Sequence, residues 1–429
     1  MKNTDVFEGH ELKSTPPEFS TASPRFRLLG ENGLSVSFDD NLLSSHLLIL
    51  GGIGTGKTNA VFQIMSQLRQ GMATDDIMLI FDTKGDFYNE FYRQGDIVIS
   101  SDDKATGPDG LDYWNIFREL GSDELLKENI YEITQTLFHE KIQRSNQPFF
   151  PNAAKDLLAG TLQHFSLSAD ERKANNNSLW EFLSGSPIDE LRDMLESHKD
   201  LKAMSSYIAD SRSPQTQGVF SELQQMVREI LVGNFCQVGN LSIREAIRNK
   251  GGKAIFIEYD LSFGNVLTPI YRLLFDLAMK EALSRKKSEG NVWFIIDEFR
   301  LVPNLQHISD GVNFGRGLGA KFIIGLQNVE EVFHAYGESL ARSILSGFMS
   351  TVAFRVNDAA TRDFIQGLFG RNRKLESFRS TIAYKGIIEQ VREANVIEDW
   401  DIANLPLGCA IIGLPNQEPF LFQFKEYGK

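Results

Sequence analysis

The stretch Gly51-Gly52-Ile53-Gly54-Thr55-Gly56-Lys57-Thr58 decides the fold of this 429-residue chain, because it matches the pattern G-x-x-x-x-G-K-[ST]. Glycines let the backbone adopt positive φ angles and turn several N–H groups toward bound phosphate oxygens. A lysine at this place reaches the β- and γ-phosphates, and a Ser or Thr hydroxyl binds Mg²⁺. The stretch therefore predicts a site for ATP and Mg²⁺. The candidate nucleotide-binding residues are Gly51, Gly52, Ile53, Gly54, Thr55, Gly56, Lys57, Thr58 and Asn59.

The residues on either side place this stretch between a strand and a helix. His46–Leu50 is a short apolar run that predicts a buried strand. After Thr58, apolar residues recur at helical spacing, at Val61, Ile64, Met65 and Leu68. Gly71 is placed to end that helix. A chance glycine turn would not have these flanks, so a phosphate-binding loop is the stronger interpretation.

Further apolar runs alternate with helical patterns along the chain, which predicts a mainly parallel sheet covered on both faces. The runs are Ile77–Phe81, Ile97–Ile99, Ala254–Tyr259, Trp293–Ile296, Phe322–Leu326, Thr351–Val356 and Ala410–Leu414. Helical segments such as Ile270–Leu283 and Asp358–Leu368 separate several of them. The predicted fold class is α/β, a RecA-like P-loop NTPase fold with an inserted all-α domain.

The domain organisation follows from where the strand pattern stops and resumes. Residues 1–24 mix Ser, Thr, Pro and Glu and predict a flexible arm, with order beginning near Phe26. Residues 25–119 and 236–429 are predicted to form the two parts of the nucleotide-binding domain. Between them, residues 120–235 have helical spacing with polar faces and predict the all-α insertion.

A pair of carboxylates, Asp297 and Glu298, ends the apolar strand that begins near Asn291. Ligands of α/β folds bind at the carboxyl ends of the strands, so both side chains are expected at the nucleotide site. Asp297 is the candidate Mg²⁺ ligand together with Thr58. Glu298 is the candidate base that polarises an attacking water, and its presence favours hydrolysis over transfer to another acceptor. The alternative is that the two carboxylates only cap the end of the strand. The phosphate-binding loop elsewhere in the chain makes this alternative weaker.

Two further candidates are polar residues on or before the next strand. Gln327 ends the run Lys321–Leu326 and could sense the γ-phosphate or orient the water, although a polar strand cap is the alternative. Arg316, in Gly315-Arg-Gly-Leu-Gly319, is the first candidate for an arginine that a neighbouring subunit inserts to neutralise transition-state charge. Arg342 and Arg355 are the other candidates, and a surface ion pair is the alternative for each.

Two polar segments carry weaker signals. The segment Phe81–Asp86 could border the nucleotide or an inter-subunit face, and ordinary turn chemistry explains it equally well. The segment Gly370–Lys385 holds five basic residues and one acidic residue, Glu376. It could face nucleic-acid phosphates, but a solvated charged loop is the stronger interpretation on charge alone.

Composition sets limits on the class of protein. The formal net charge of −13 argues against a surface that is basic all over, although an acidic ring can still be basic along its pore. Two distant cysteines, Cys236 and Cys409, exclude a disulfide framework and favour a reducing cytoplasm. We expect a cytoplasmic chain without a membrane helix or secretory signal. If the protein acts at a membrane, we expect a partner to hold it there.

Taken together, these motifs resemble the conjugative coupling-protein ATPases of type IV secretion, the TraD/TrwB-like branch of the FtsK–HerA translocases. The resemblance spans most of the chain. It rests on the segments His46–Gly52, Asp82–Asp86, Asp297–Glu298, Gly315–Gly319, Gly325–Gln327, Tyr336–Gly337 and Val396–Pro406. Typical members carry an N-terminal membrane anchor, and we expect a departure from the family there, without such an anchor.

The resemblance implies ATP-driven hexamers that move DNA through a central channel, with DNA strandedness left open. Secretion or relaxation proteins are further candidate partners. Carried to this sequence, Lys57 and Thr58 bind phosphate and Mg²⁺, Asp297 and Glu298 serve metal and water, Gln327 is the sensor, and Arg316 acts in trans. Two other functions stay open: an ATP-regulated adaptor that recruits protein or nucleoprotein substrates without motor activity, and a slow NTP-bound switch.

Overall fold

A computed structural model describes residues 4–17, 21, 23–102, 113–121, 124–168, 173–284, 290–379 and 387–428. The chain divides into two compact units. Unit 1 consists of residues 1–73, 286–303 and 309–429, and unit 2 consists of residues 74–285 and 304–308.

Unit 1 holds eleven of the described strands, numbered here along the whole chain. They are β1 (Thr4–Glu8), β2 (Phe26–Leu29), β3 (Ser35–Phe38), β4 (Leu47–Leu50), β8 (Val292–Ile296), β9 (Ala320–Leu326), β10 (Ser350–Phe354), β11 (Arg371–Arg379), β12 (Ile387–Asn395), β13 (Cys409–Gly413) and β14 (Phe420–Gln423). Its helices are α1 (Asp40–Leu43), α2 (Lys57–Gln70), α11 (Ile308–Phe314), α12 (Glu330–Ser346), α13 (Ala359–Phe369) and α14 (Asp399–Ala403).

Six strands of unit 1 lie side by side in the order β14-β13-β10-β4-β9-β8. β10, β4, β9 and β8 are parallel, and β13 and β14 extend the sheet in antiparallel fashion. All four residues of β4 are buried, as are all five of β8 and all seven of β9. Continuous burial of this kind is typical of a parallel sheet with both faces covered.

Helix α2 follows β4 and also contacts a small antiparallel hairpin, which is made by β2 and β3. Its predicted apolar face is buried, with Val61, Ile64, Met65 and Leu68 at most 3% exposed. On another face, Gln63 accepts a hydrogen bond from the Leu29 N–H, and Gln67 accepts one from the Arg27 N–H. The helix ends at Gly71, as predicted.

Unit 2 combines three parallel strands with a set of helices. The strands are β5 (Ile77–Asp82), β6 (Ile97–Ile99) and β7 (Lys253–Glu258), in the order β5-β7-β6. The helices are α3 (Asp86–Phe91), α4 (Leu126–Arg144), α5 (Phe149–Ser166), α6 (Asn176–Gly185), α7 (Ile188–Glu196), α8 (Pro214–Ile230), α9 (Ile243–Asn249) and α10 (Gly264–Leu283). Helices α4 to α8 fall within the stretch 120–235, for which the sequence predicts an insertion.

Glu119 ties together the two chain segments that flank those helices. Its carboxylate is fully buried and accepts hydrogen bonds from Trp114 Nε1 (2.9 Å), Ser242 Oγ (3.0 Å) and the Ile243 N–H (2.6 Å). Burial raises the pKa of Glu119, and the donors oppose that shift by stabilising the charged form. The entry and exit of the helical stretch are therefore fixed to each other through one side chain.

The predicted fold class is confirmed, and two local expectations are wrong. Order does not begin near Phe26, because β1 pairs antiparallel with β11 inside the stretch expected to be a flexible arm. The segment Gly370–Lys385 is not a loop over 371–379, because the nine residues of β11 pair antiparallel with the nine residues of β12. Residues 380–385 lie outside the described part of the chain. None of the described helices has the length and low charge needed to cross a membrane.

Candidate nucleotide site

The Gly51–Thr58 loop connects the buried end of β4 to the first turn of α2, and its ends are fixed by the neighbouring strands. The Gly51 N–H donates to the Leu326 carbonyl (3.1 Å), and the Gly52 N–H donates to the Arg355 carbonyl (2.9 Å). A Cβ on Gly51 would lie 2.8 Å from Phe354 Cβ. Gly56 has φ +122, a region that side chains disfavour. The glycines are thus required by close packing and by backbone conformation.

Lys57 lies inside the curve of this loop. Its side chain is only 7% exposed, and its Nζ donates to the carbonyls of Gly51 (2.5 Å) and Gly52 (3.2 Å). An ammonium group carries three donors, so the same group can reach a phosphate oxygen from this position. The helix N-terminus that starts at Lys57 adds a partial positive charge at the same place.

The structure brings Thr58 and Asp297 together, as predicted for a metal site. Thr58 Oγ1 donates to Asp297 Oδ2 at 3.3 Å. Both are hard oxygen donors, and Mg²⁺ usually takes one or two protein oxygens with waters and substrate phosphates as the remaining ligands. The donor set therefore fits Mg²⁺ when a nucleotide supplies phosphate oxygens. Its chemistry there would be to neutralise phosphate charge.

Glu298 lies one residue beyond Asp297, at the carboxyl end of β8, and two donors hold its carboxylate. Gln327, which follows β9, donates from Nε2 to Glu298 Oε2. Arg300 donates from Nε to Glu298 Oε1 at 2.8 Å. The Glu298 side chain is 15% exposed. The strand register explains the meeting with Gln327, because β8 and β9 are parallel neighbours that end at the same edge of the sheet.

Arg316 does not join these residues within the same chain. It lies exposed on a short 3-10 helix, Gly315–Leu318, that precedes β9, whereas Gln327 follows β9. Seven strand residues span about 23 Å, so Arg316 and Gln327 lie at opposite edges of the sheet. Near Arg316, His46 has its pKa lowered to about 4 by burial first, with the charges of Lys321 and Arg316 adding to the shift.

The other two arginines considered from the sequence lie elsewhere. The exposed Arg355 follows β10, where its carbonyl accepts from Gly52, so it lies at the same edge as the loop. Arg342 pairs with Glu338 on the exposed side of α12 and lies over the Phe333 ring. Surface pairing is therefore observed for Arg342.

The Asn59 side chain binds the C-terminal segment through both of its polar atoms. Its Nδ2 donates to the Lys425 carbonyl (3.0 Å), and its Oδ1 accepts from the Tyr427 N–H (2.7 Å). A further main-chain bond joins the Gly408 N–H to the Thr55 carbonyl (3.1 Å). The C-terminal part of unit 1 thus supports the loop and the start of α2.

The two weaker segments have local partners. In unit 2, the Asp82 carboxylate accepts from the N–H groups of Gly85 (2.9 Å) and Tyr88 (2.7 Å), which is turn chemistry, and burial raises its pKa. In unit 1, the basic side chains described on β11 each pair with a glutamate. The pairs are Arg371–Glu393, Arg373–Glu8 and Lys374–Glu398. This pairing reduces the positive charge available for phosphates.

Sequence reasoning missed Arg300 and Glu331. Arg300 follows the acidic pair by two residues, and that charge pattern was the available signal. Glu331 lies in the first turn of α12, and its pKa is raised by burial, while Arg300 opposes the shift and Glu298 adds to it. Nothing in the local sequence marks Glu331, because its position depends on how α12 follows β9.

The fold and this arrangement define a P-loop NTPase of the RecA-like class. A sequence profile of the type IV secretion-system coupling protein DNA-binding domain matches residues 33–410, and the chain belongs to that family. It is also 20% identical over 386 residues to coupling protein TraD of Escherichia coli (strain K12), covering 86% of this chain. The chain spans about half (51%) of the length of that relative.

Solved structures share the fold. The bacterial conjugative coupling protein TrwBdeltaN70 in its unbound form matches with a TM-score of 0.76 and 20% identity, covering 98% of this chain and 93% of the solved chain. TrwB in complex with the ATP analogue ADPNP matches with a TM-score of 0.74 and 20% identity over 98% and 94% of the two chains. VirB4 of Thermoanaerobacter pseudethanolicus matches with a TM-score of 0.58 and 12% identity over 96% and 99%.

Proposed function

We propose that this protein is an ATP-hydrolysing, ring-forming motor of the coupling-protein type that moves DNA. The observation that carries the proposal is the arrangement of Thr58, Asp297, Glu298 and Gln327 beside Lys57 in one unit. Phosphate, metal and water each have a side chain of suitable chemistry at one edge of the sheet. TrwB has been solved with ADPNP and with ADP and Mg²⁺, which supports ATP and Mg²⁺ as the cofactors.

In this proposal each side chain has a distinct role. Lys57 binds the β- and γ-phosphate oxygens, and the loop N–H groups of residues 53–56 surround the phosphates. Thr58 and Asp297 hold Mg²⁺. Glu298 accepts a hydrogen bond from the attacking water and takes its proton as the water oxygen attacks phosphorus. Gln327, which already contacts Glu298, fixes the direction of that carboxylate and links it to the end of β9.

A neighbouring copy of the chain completes the site in this proposal. Transition-state charge on the transferred phosphoryl group is commonly neutralised by an arginine. Arg316 is exposed and lies at the sheet edge opposite its own Glu298, so it is free to act on the site of an adjacent subunit and not on its own. A closed ring, a hexamer in our proposal, gives every site such a neighbour.

The family description supports DNA as the partner, and the helices of residues 120–235 are proposed as the insertion that faces other components. We propose residues 25–119 and 236–429 as the two parts of the nucleotide-binding domain. Residues 1–24 are not proposed as a separate arm, because β1 pairs with β11. Secretion or relaxation proteins are proposed as further partners of a cytoplasmic ring.

The proposal is tested by measuring ATP turnover with and without DNA. We expect single-stranded or duplex DNA to stimulate turnover, and the stimulation to weaken as salt rises, since phosphate contacts release counterions. A matched control uses the same DNA with the Glu298→Gln variant, which should show no stimulation. Basal turnover that stays constant with both kinds of DNA across a salt series would exclude the motor and leave the adaptor.

A further inference from the structure

Residues 424–427, which we call the C-terminal strap, contact the phosphate-binding loop and the start of α2 within unit 1. At the loop, the Gly408 N–H donates to the Thr55 carbonyl (3.1 Å), and the Gly408 carbonyl accepts from the Phe424 N–H (2.9 Å). Main-chain hydrogen bonds therefore run from the loop, through Gly408, to the first residue of the strap.

The Phe424 side chain adds an apolar contact to the same loop. Its ring centroid lies 5.2 Å from that of Phe354, and both side chains are buried. Phe354 packs directly against the loop, because a Cβ on Gly51 would lie 2.8 Å from Phe354 Cβ and a Cβ on Gly56 would lie 3.0 Å from Phe354 Cε1. Close-packed side chains transmit displacements, so a shift of Phe424 would move Phe354 against the loop.

At the start of α2, three side chains bind the strap. Asn59 donates from Nδ2 to the Lys425 carbonyl (3.0 Å) and accepts from the Tyr427 N–H (2.7 Å). Gln63, which is buried, donates to the same Lys425 carbonyl at 2.6 Å. The Phe62 ring meets the Tyr427 ring edge-on at 5.4 Å. These contacts hold the turn of α2 that carries the phosphate- and metal-binding side chains.

We propose that the C-terminal strap positions the phosphate-binding loop and the first turn of α2, with Asn59 as the positioning residue that links them, and thereby sets the affinity for nucleotide. The inference rests on the proposed function, which places the phosphates in this loop. A loop that is competent to bind for only part of the time has a correspondingly lower apparent affinity. Both polar atoms of Asn59 bind the strap, so its effect on nucleotide is indirect.

The strap is expected to act on binding and not on the chemical step. Its contacts are the same before and during hydrolysis, and an interaction of that kind changes KM without changing kcat. We expect Asn59→Ala to raise Kd for a fluorescent, non-hydrolysable ATP analogue with Mg²⁺ by roughly three- to ten-fold, about the effect of one neutral hydrogen bond. KM for ATP should rise by a similar factor, and kcat at saturating ATP should stay within about two-fold of wild type.

Gln67→Ala is the matched control on the same helix. Gln67 also binds a main chain in both directions, since it accepts from the Arg27 N–H (2.9 Å) and donates to the Arg27 carbonyl (2.7 Å). It lies about two turns beyond Asn59 and does not touch the strap. Its loss may lower the melting temperature as much as Asn59→Ala does, but Kd and KM should stay at their wild-type values.

Tyr427→Pro tests the same link from the side of the strap, because proline lacks the N–H that donates to Asn59. Kd should rise as it does in Asn59→Ala. The increase in the double variant should be smaller than the product of the two single increases, because both changes remove one shared contact. If the two increases multiply, Asn59 acts on the nucleotide independently of the strap, and the inference is wrong.

Hydrogen exchange in the unmodified protein gives an independent test, because coupling between two sites is reciprocal. Binding of the analogue should slow exchange of the Tyr427 N–H, which donates to Asn59. The Arg27 N–H, which donates to Gln67, should exchange at the same rate with and without the analogue. This measurement decides the question even if Asn59→Ala does not fold.

The inference is overturned if Kd is unchanged in a folded Asn59→Ala variant, if Gln67→Ala weakens binding equally, or if exchange at Tyr427 ignores the analogue. Lys57→Ala tells this failure apart from a failure of the proposed function. If wild-type protein does not bind the analogue, or if Lys57→Ala binds it equally well, the proposed nucleotide site is wrong. If Lys57→Ala weakens binding and Asn59→Ala does not, only the role of the strap is wrong.

Discussion

Lys57→Ala is expected to abolish ATP hydrolysis, with kcat falling by at least about 10³-fold, the upper range for loss of one preorganised donor to transition-state charge. The Lys57 Nζ group lies within the loop and donates hydrogen bonds to the carbonyls of Gly51 and Gly52. The stretch Gly51–Thr58 contains no second cation, so the lost charge is not replaced locally. The measurement is steady-state phosphate release at saturating ATP and Mg²⁺.

Lys253→Ala is the matched control for this variant, because it removes an exposed lysine at the start of β7 and should leave turnover unchanged. A thermal melt of both variants checks that the fold is kept. Residual turnover within about ten-fold of wild type would contradict the role of Lys57, since a phosphate-binding lysine supplies more than that.

Glu298→Gln is expected to lower kcat by about 10²- to 10⁴-fold, the contribution of a general base, while nucleotide binding is retained. Glutamine has nearly the same shape, so the packing at the end of β8 is preserved. Its neutral amide cannot accept a proton from the attacking water, as a carboxylate can. Binding of a fluorescent ATP analogue and release of phosphate, measured on the same preparation, separate the two effects.

Glu338→Gln makes the same chemical change at an exposed position of α12 and serves as the control. If Glu298→Gln hydrolyses ATP within about three-fold of wild type, general-base catalysis by this residue is excluded, because that loss is far below the range for a base. If binding is lost together with turnover, Glu298 instead supports the nucleotide site as a whole.

The central strands and the loop could be predicted from the sequence because their signals are local. β4 and α2 have apolar runs and helical spacing that need no distant partner, and both form where expected. The meeting of Glu298 and Gln327 also follows from local signals. Each ends an apolar strand, and parallel strands end at the same edge of a sheet.

The missed features depend on contacts between distant segments. β1 is ordered because it pairs with β11, more than 360 residues away, and its own composition predicts a flexible arm. The basic residues of β11 predict a solvated loop when considered alone. In the structure, Arg371 pairs with Glu393 on β12, and Lys374 pairs with Glu398, which follows β12. Pairing of this kind is decided by which strands meet, and one strand alone does not encode it.

The directions of individual side chains were the other feature that the sequence could not predict. Asn59 follows Thr58 directly, but its place on α2 turns its amide toward Lys425 and Tyr427. Arg300 reaches Glu298 because the chain turns sharply after β8 into a short 3-10 helix. Neither direction is set by spacing alone, since each depends on the rotation of a helix or the geometry of a turn.

The most direct test of the central claim is removal of streptavidin from end-biotinylated DNA by the purified protein, using single-stranded and duplex substrates with ATP and Mg²⁺. A motor that moves along DNA should displace streptavidin with ATP, and the Lys57→Ala and Glu298→Gln variants should not. We predict displacement from at least one substrate. If wild-type protein hydrolyses ATP and binds DNA but displaces no streptavidin from either substrate, the account of this chain as a DNA-moving motor is contradicted.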